Sequence, residues 1–411
     1  MPNEYICALD IGTTKICVLI AEVDENNELK IIGVGTAPSE GLRRGVVINL
    51  EKTIHAIKKA RLEAERMANV EVRAVYAGIA GDHIRSLNGR GVVAVSGDHN
   101  TISVDDKRRV IEAAKAVALP FDREIIHIIP QEFIVDDQRG IDDPVGMSGM
   151  RLEAEVHIVT CAVTAAQNIW RSIEGAGMTV MDLVLEPLAS SYSVLTEDEK
   201  SLGVVVLDLG GGTTDIALFC EKAIRHTAIV SLGGRNVTND LAHGLRTPVE
   251  NAEKIKVAHG AAILTDSDKD AFVEVPGIGG RAAQRVPKSM LVDIIQPRME
   301  EILTLAAREL NKSDYIKMMT TGAVLTGGGS MIPGTVELAE EIFQMPIKLG
   351  IPQGIQSVSE EVNKPIHATG VGLLLYGHQN DTLIDGPFES EAHVFEKIVE
   401  RMKRWFGGGS H

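Results

Sequence analysis

Apolar residues in this chain gather into short runs broken by glycine-rich polar turns, and one such arrangement is written twice. Residues 6–22 read ICALDIGTTKICVLIAE and residues 204–221 read VVVLDLGGGTTDIALFCE. In both, an apolar run meets an aspartate, a glycine turn and two threonines before a second apolar run begins. Segments 6–9 with 16–21, and 204–207 with 216–219, have strand length, so the pattern predicts two β-hairpins. A further apolar run enters Gly327, Gly328 and Gly329, and residues 334–344 then predict a helix. Between the repeats, 104–119 has helical periodicity, 125–129 reads as a strand and 136–149 as a polar loop. Residues 82–161 therefore read as a small α/β insertion.

Length and charge narrow the classes. A chain of 411 residues exceeds one ordinary core, so two or more domains are expected. The net charge of −16 argues against a nucleic-acid-binding protein, whose signature is a basic face. Cys7, Cys17, Cys161 and Cys220 lack metal-ligand spacing and sit in apolar runs, which predicts reduced core thiols of a cytosolic protein. The N-terminal segment has no signal-peptide pattern. No stretch reaches the roughly 20 apolar residues of a membrane span.

The repeated turns carry candidate chemistry. Glycine lets backbone N–H groups approach an anion without an intervening Cβ, and threonine hydroxyls add donors. Gly12, Thr13 and Thr14, and Gly210, Gly211, Gly212, Thr213 and Thr214, are therefore candidate phosphate ligands. An aspartate beside a phosphate needs a hard cation between them, so Asp10 and Asp208 are candidates for hydrated Mg²⁺. Lys15 either reaches a phosphate or is a plain exposed strand lysine. Asp215 is placed to orient water near the metal. Gly327–Gly329, a weak signal alone, are after two phosphate hairpins the natural adenosine contact.

The C-terminal segment has a different pattern. Residues 378–392 are polar with a Gly-Pro pair and read as a flexible linker. Residues 393–406, HVFEKIVERMKRWF, are amphipathic at helical period. Phe395, Ile398, Val399, Met402, Trp405 and Phe406 form the apolar face, with Val394. Lys397, Arg401, Lys403 and Arg404 make the other face basic. An anionic membrane surface suits such a helix; a partner protein or a core packing site are the alternatives. Residues 407–411 read as a linker and tag scar.

Asp-Ile-Gly-Thr-Thr (10–14), Asp-Leu-Gly-Gly-Gly-Thr-Thr-Asp (208–215) and Leu-Thr-Gly-Gly-Gly (325–329), in this order, resemble the phosphate and adenosine motifs of the superfamily of actin, heat-shock chaperones and sugar kinases. EPLASSYSVL (186–195) and HATGVGLLLYG (367–377) are similar to its connecting helices. With the insertion and the tail, the chain resembles the FtsA family of bacterial division proteins. That resemblance implies a two-lobed α/β actin-like ATPase fold of duplicated ribonuclease-H-like domains. A relocated small α/β subdomain and a C-terminal amphipathic helix complete it. The implied domains are 1–81 with 162–195 in the first lobe, 82–161 inserted, 196–231 with 312–377 in the second lobe, and 232–311 as its outer subdomain.

The family pattern further places Gly233, Gly234, Asn239, Glu253 and Lys256 near the nucleoside, Met331 with the glycines of the adenosine motif, and Glu186 where attacking water is positioned. For Lys256 a solvated helix lysine is the alternative. The resemblance also implies weak ATPase activity at most, actin-like filaments of the chain itself, tethering of the tubulin-like protein FtsZ to the inner face of the cytoplasmic membrane at the septum, and recruitment of other division proteins. The partner's short acidic C-terminal peptide calls for basic and apolar groups together. Residues 279–302 offer Arg281, Arg285, Lys288 and Arg298 beside Met290, Leu291, Ile294 and Ile295. A small-molecule kinase of the same superfamily explains the ATP site but not the tail. A chaperone would need a peptide-binding domain for which too few residues remain. A pilus-assembly actin homologue shares the fold and differs in its partner.

Overall fold

The first expected hairpin forms as β1 (Glu4–Ile11) and β2 (Lys15–Val23), paired antiparallel from Glu4↔Val23 to Ile11↔Ile16. The structure is a computed structural model that describes residues 4–384, apart from 269 and 280. β3 (Leu29–Pro38) continues the meander, followed by the short pair β4 (Leu42–Arg43) and β5 (Val46–Val47). Asn49 caps α1 (Leu50–Ala68), its side chain accepting from the Lys52 amide. α1 lays Ala56, Ile57, Ala60 and Ala64 on the sheet. Gly35 in β3 permits this approach, since a Cβ there would overlap the Ala60 carbonyl. β6 (Ala74–Ile79) then returns parallel to β1.

The insertion follows as β7 (Arg85–Ala94), α2 (Val104–Lys115), β8 (Arg123–Val135), β9 (Gln138–Ile141) and β10 (Arg151–Ala162). Its four strands pair in the order β7-β10-β8-β9, all antiparallel. A capping box between Ser103 and Asp106 starts α2. The helix stops at Lys115, earlier than its apolar periodicity extends, and the stretch expected to be one polar loop contains β9.

α3 (Val163–Gly175) and β11 (Thr179–Leu185) complete the first lobe, and α4 (Glu186–Val194) and α5 (Glu197–Leu202) leave it. The second lobe holds β12 (Val204–Leu209), β13 (Thr214–Cys220), β14 (Ala223–Val230), α6 (Gly234–Gly244), α7 (Val249–His259) and the ribbon β15 (Phe272–Val275) with β16 (Gln284–Pro287). It continues with α8 (Lys288–Leu310), β17 (Ala323–Thr326), α9 (Thr335–Phe343) and β18 (Ile347–Leu349). β19 (Gln356–Ser357) rejoins the first sheet beside β3, and α10 (Ala368–Ile384) ends the described chain.

The duplication extends well beyond the quoted repeat. One sheet has the order β11-β6-β1-β2-β3-β19 and the other β14-β13-β12-β17-β18. Each builds an antiparallel three-strand meander whose first strand has a parallel neighbour, β6 for β1 and β17 for β12. Each sheet has its own core, one centred on Leu9, Leu19, Ile57 and Leu185, the other on Leu207, Ile216, Leu241 and Leu303. The four cysteines are buried free thiols, as expected. One expectation is corrected: α10 continues helically past His378 to Ile384, so the linker cannot begin at 378. The amphipathic segment 393–406, with all of its candidate membrane residues, and the tail 407–411 lie outside the described residues.

Candidate functional site

The turns of the two hairpins face one another across the gap between the lobes. A Cβ on Gly211 would lie 2.6 Å from Thr14 Oγ1, and one on Gly212 would overlap Thr13 Oγ1. Only glycine lets the two loops meet at this distance. Beneath them is a cavity of about 260 Å³. Of the residues expected at phosphate or metal, Asp10, Gly12, Thr13, Thr14, Lys15, Asp208, Gly210, Gly211, Gly212 and Thr213 line it, as does Glu186. Thr214 turns away, donating to the Leu232 carbonyl at 2.9 Å. Lys15 Nζ donates to the Ile366 carbonyl at 3.2 Å and lies 3.3 Å from His367 Nδ1.

Three carboxylates, Asp10, Asp208 and Glu186, line the floor, and Asp215 is buried beside Asp208 without lining the cavity. Asp208 and Asp215 are direct cross-strand partners on β12 and β13, a pairing that like charges disfavour. Asp215 Oδ2 accepts from Thr213 Oγ1 at 2.9 Å, and its buried Oδ1 has no hydrogen-bond partner. Burial, opposed by Lys15 and reinforced by Asp208, pushes Asp10 up to about 6. Burial and then Asp208 push Asp215 up to about 8. Glu186, raised by burial and by Asp10, Asp215 and Asp208 in turn, lies well above its ordinary range. Asp208 is also raised by burial, against donors from Ser190 and Thr369.

The buried carboxylate oxygens of Asp10 and Asp208 on the cavity wall are the donor type a hard divalent cation takes. Among the described residues, no three His, Cys, Asp or Glu side chains converge to cage a metal directly. One or two carboxylates are enough for a hydrated Mg²⁺, which keeps several of its waters.

The other end of the cavity suits a nucleoside. Gly327, Gly328, Gly329 and Met331 line it after β17. Gly327 has φ +82°, and a Cβ there would overlap Asp208 Oδ1, so the position requires glycine. Lys256 is not a solvated helix lysine. It is buried, and its Nζ donates to Glu253 Oε2 at 2.8 Å, Thr238 Oγ1 at 2.9 Å and the Gly234 carbonyl at 3.2 Å. Glu253, Lys256 and Gly234 line the cavity. Gly233 packs behind the second turn instead, and Gly234 and Arg235 donate their amides to the Gly210 and Gly211 carbonyls. Asn239 is exposed and lies off the cavity lining; Thr238, its inward neighbour on α6, takes its place in the Lys256 network. The exposed apolar side chains Val257, Met331 and Ile366 add a surface that suits a flat base.

Sequence reasoning missed the residues that tie this floor to the connecting helices. Ser190 Oγ on α4 and Thr369 Oγ1 on α10 donate to Asp208 Oδ2 at 2.7 and 3.1 Å. Ser193 Oγ donates to the Ala368 carbonyl at 2.7 Å, and a Cβ at Gly372 would overlap the Ala189 carbonyl. The signal was the concentration of small residues in both helices, which marks close helix contact but not its polar partners.

The expected peptide-binding cluster is not assembled as the sequence suggested. Leu291 and Ile295 are buried in the second-lobe core, which leaves Met290 exposed and Ile294 half-buried. Lys288 pairs with Asp268 at 2.7 Å, and Arg298 pairs with Asp240 and Glu301. Arg285 stacks over Phe272 at 4.4 Å, and Arg281 is exposed.

Comparison with known proteins follows the same division of the chain. A family described as "Cell division protein FtsA" matches residues 205–372, and "SHS2 domain inserted in FTSA" matches 81–160. The cell division protein FtsA of Pseudomonas aeruginosa is 45% identical, over 99% of this chain and 98% of that one. That of Escherichia coli K12 is 38% identical, over 98% and 97%. Among solved structures, a PilM–PilN type IV pilus biogenesis complex aligns with a TM-score of 0.67 at 18% identity, over 91% of this chain and 98% of that one. MreB5 of Spiroplasma citri bound to ADP aligns with 0.54 at 14% identity, over 93% and 99%. At these identities the likeness concerns the fold alone, which is the two-lobed actin-like one carrying an SHS2 subdomain.

Proposed function

The chain belongs to the FtsA family of cell division proteins, and from that premise we propose that it binds ATP with Mg²⁺ between its lobes and acts as a self-assembling membrane tether for FtsZ. The observation that carries the nucleotide reading is the meeting of the two glycine–threonine turns over buried carboxylates. Amides of Gly12, Thr13, Thr14 and Gly210–Thr213 and the hydroxyls of Thr13 and Thr14 hold the phosphates, with Lys15 swinging from the Ile366 carbonyl to join them. Asp10 and Asp208 hold the hydrated cation, which neutralises phosphate charge. Glu253 and Lys256 receive the ribose, and Gly327–Gly329 with Met331 the base.

Glu186 and Asp215 orient the water that attacks. Burial and the neighbouring acids raise both carboxyls, and they act by positioning the water rather than by covalent chemistry. Slow turnover follows, with ATP serving chiefly as a conformational ligand.

The remaining roles belong to the surface and the tail. Among the described residues no helix is long and apolar enough to cross a membrane. The basic, aromatic-rich segment 393–406 supplies peripheral attachment to anionic lipid. Head-to-tail assembly multiplies that weak anchor by avidity. We assign the acidic FtsZ peptide to the exposed side chains of Arg281, Arg285 and Met290, with Arg285 leaving its stack on Phe272 to bind, and other division proteins assemble on the same filament.

Equilibrium binding of ATP in the presence of Mg²⁺, compared between wild type and Asp208→Asn, tests the central claim. Micromolar-range binding that the substitution weakens at least about tenfold, or ~1.4 kcal/mol, supports it. Equal binding by both proteins, or by neither, refutes it.

A further inference from the structure

The inserted subdomain does not simply hang from the first lobe. It reaches the hinge and the second lobe from behind the cleft through side chains that no motif marks. His127 on β8 accepts the Leu185 amide at Nε2, 3.0 Å away, immediately before Glu186 opens α4. Its ring also meets Tyr376 of α10 edge-on, with centroids 6.4 Å apart. One side chain of the insertion thus touches both connecting helices or their junctions.

Farther along β8 the ladder with β10 slips: Glu155 pairs with Glu132 and Val156 with Pro130, which leaves Gln131 unpaired in a bulge. Bulges re-aim side chains. Here the bulged Gln131 is buried, and its Nε2 donates to the Ile224 carbonyl of β14 in the second lobe at 2.7 Å. Ile129 packs against the cluster of Val194, Leu195, Phe219 and Ile224, where α4 meets the second lobe. On the neighbouring strands, His157 Nε2 lies 3.0 Å from Thr227 Oγ1, and Ser86 Oγ donates to the Thr227 carbonyl at 3.2 Å. His157 is oriented from its other nitrogen by Asn88 Oδ1 at 2.8 Å.

These bonds cross from one lobe to the other, and they exist in the same arrangement in which the phosphate turns meet. Rotation of the second lobe about α4 and α10 has to shear them. We propose that the inserted subdomain is a strut that holds the lobes in the turn-to-turn arrangement. A ligand of the cleft and a load on the insertion therefore change one another's affinity. This deepens the nucleotide reading above and rests on it for the ligand, while the strut itself is a property of the protein alone.

The test uses the full chain with Gln131→Ala and, as a volume-conserving control on folding, Gln131→Met. Hydrogen exchange is followed without nucleotide in peptides covering 185–194 and 223–230, and dissociation of a fluorescent ADP is followed by stopped flow. Faster exchange in both peptides, with ADP leaving at least about fivefold faster, is expected. Exchange at the wild-type rate in both variants overturns the strut. Altered exchange with unchanged ADP dissociation overturns the linkage. Should wild type bind no ADP, the nucleotide reading falls, and the exchange arm alone decides the strut.

Discussion

Ser190 Oγ donates to Asp208 Oδ2 at 2.7 Å, so a residue of the connecting helix α4 holds the carboxylate on which the second phosphate turn begins. Thr369 of α10 donates to the same oxygen at 3.1 Å. The floor of the cleft and the hinge are therefore one hydrogen-bonded unit. Ser190→Ala removes a buried bond to an acid and is expected to cost about 1–3 kcal/mol, read as a lower urea midpoint at unchanged slope. An unchanged midpoint would show the bond contributes nothing net.

Gly211→Val tests the meeting of the turns. Its side chain would enter the space of Thr14, whose Oγ1 lies 2.6 Å from the position of a first Cβ. The lobes can then fold but cannot close. ATP affinity measured by equilibrium binding should fall at least about tenfold, ~1.4 kcal/mol, with circular dichroism unchanged. Retained affinity would remove the turns from the phosphate site.

The acid cluster makes a signed prediction about pH. Asp10 and Asp215 have pKa values raised from 3.8 to about 6 and about 8, by burial first. Groups raised on folding contribute stability that is full below their unfolded pKa and is lost as pH rises through the folded one. Without metal, the acids should therefore lower Tm from about pH 6.5 to 8, above the interval in which His83, His157 and His367, held by burial at about 4, raise stability with pH. Asp10→Asn should remove the acid contribution that lies below about pH 6, read as a difference from wild type, and Mg²⁺ with ATP should flatten what remains. A Tm rising over this interval in metal-free protein contradicts the cluster.

Asp106 runs the opposite way. It is buried at the start of α2, and burial alone would raise its pKa. The Ser103 amide and hydroxyl, Arg109 and Ser96 hold it below the ordinary carboxylate range. Its contribution is present above pH 4 and is lost as pH falls below that. Asp106→Ala strands these donors and should destabilise by about 2–4 kcal/mol in urea titration at pH 7. The loss should show first as faster hydrogen exchange in 85–162.

Membrane attachment is tested by co-sedimentation with anionic and neutral vesicles, comparing the full chain with one ending at residue 384. Only the full chain should pellet, and more on anionic lipid. Equal pelleting of both forms would assign lipid contact elsewhere.

The sequence by itself determined the hairpins, the acidic residue before each turn and the glycines that follow. These depend on local chemistry: strand-length apolar runs, φ freedom and donor density within a few residues. The insertion was legible too, from the helix, strand and loop pattern within 82–161. Tertiary structure alone decided the environment of each side chain. For Lys256 the sequence leaves a nucleoside contact and a solvated helix lysine both open, until α6 brings Thr238 over it. Leu291 and Ile295 read as an available apolar face until the second-lobe core covers them. Asn239 and Thr238 are adjacent in sequence, and only the rotation of α6 exposes one and buries the other. Ser190 and Thr369 are separated by most of the second lobe, yet both reach Asp208 because glycine and alanine let α4 and α10 pack closely. Burial, partner choice and pKa are set by what arrives from distant segments, and a local pattern carries no record of that.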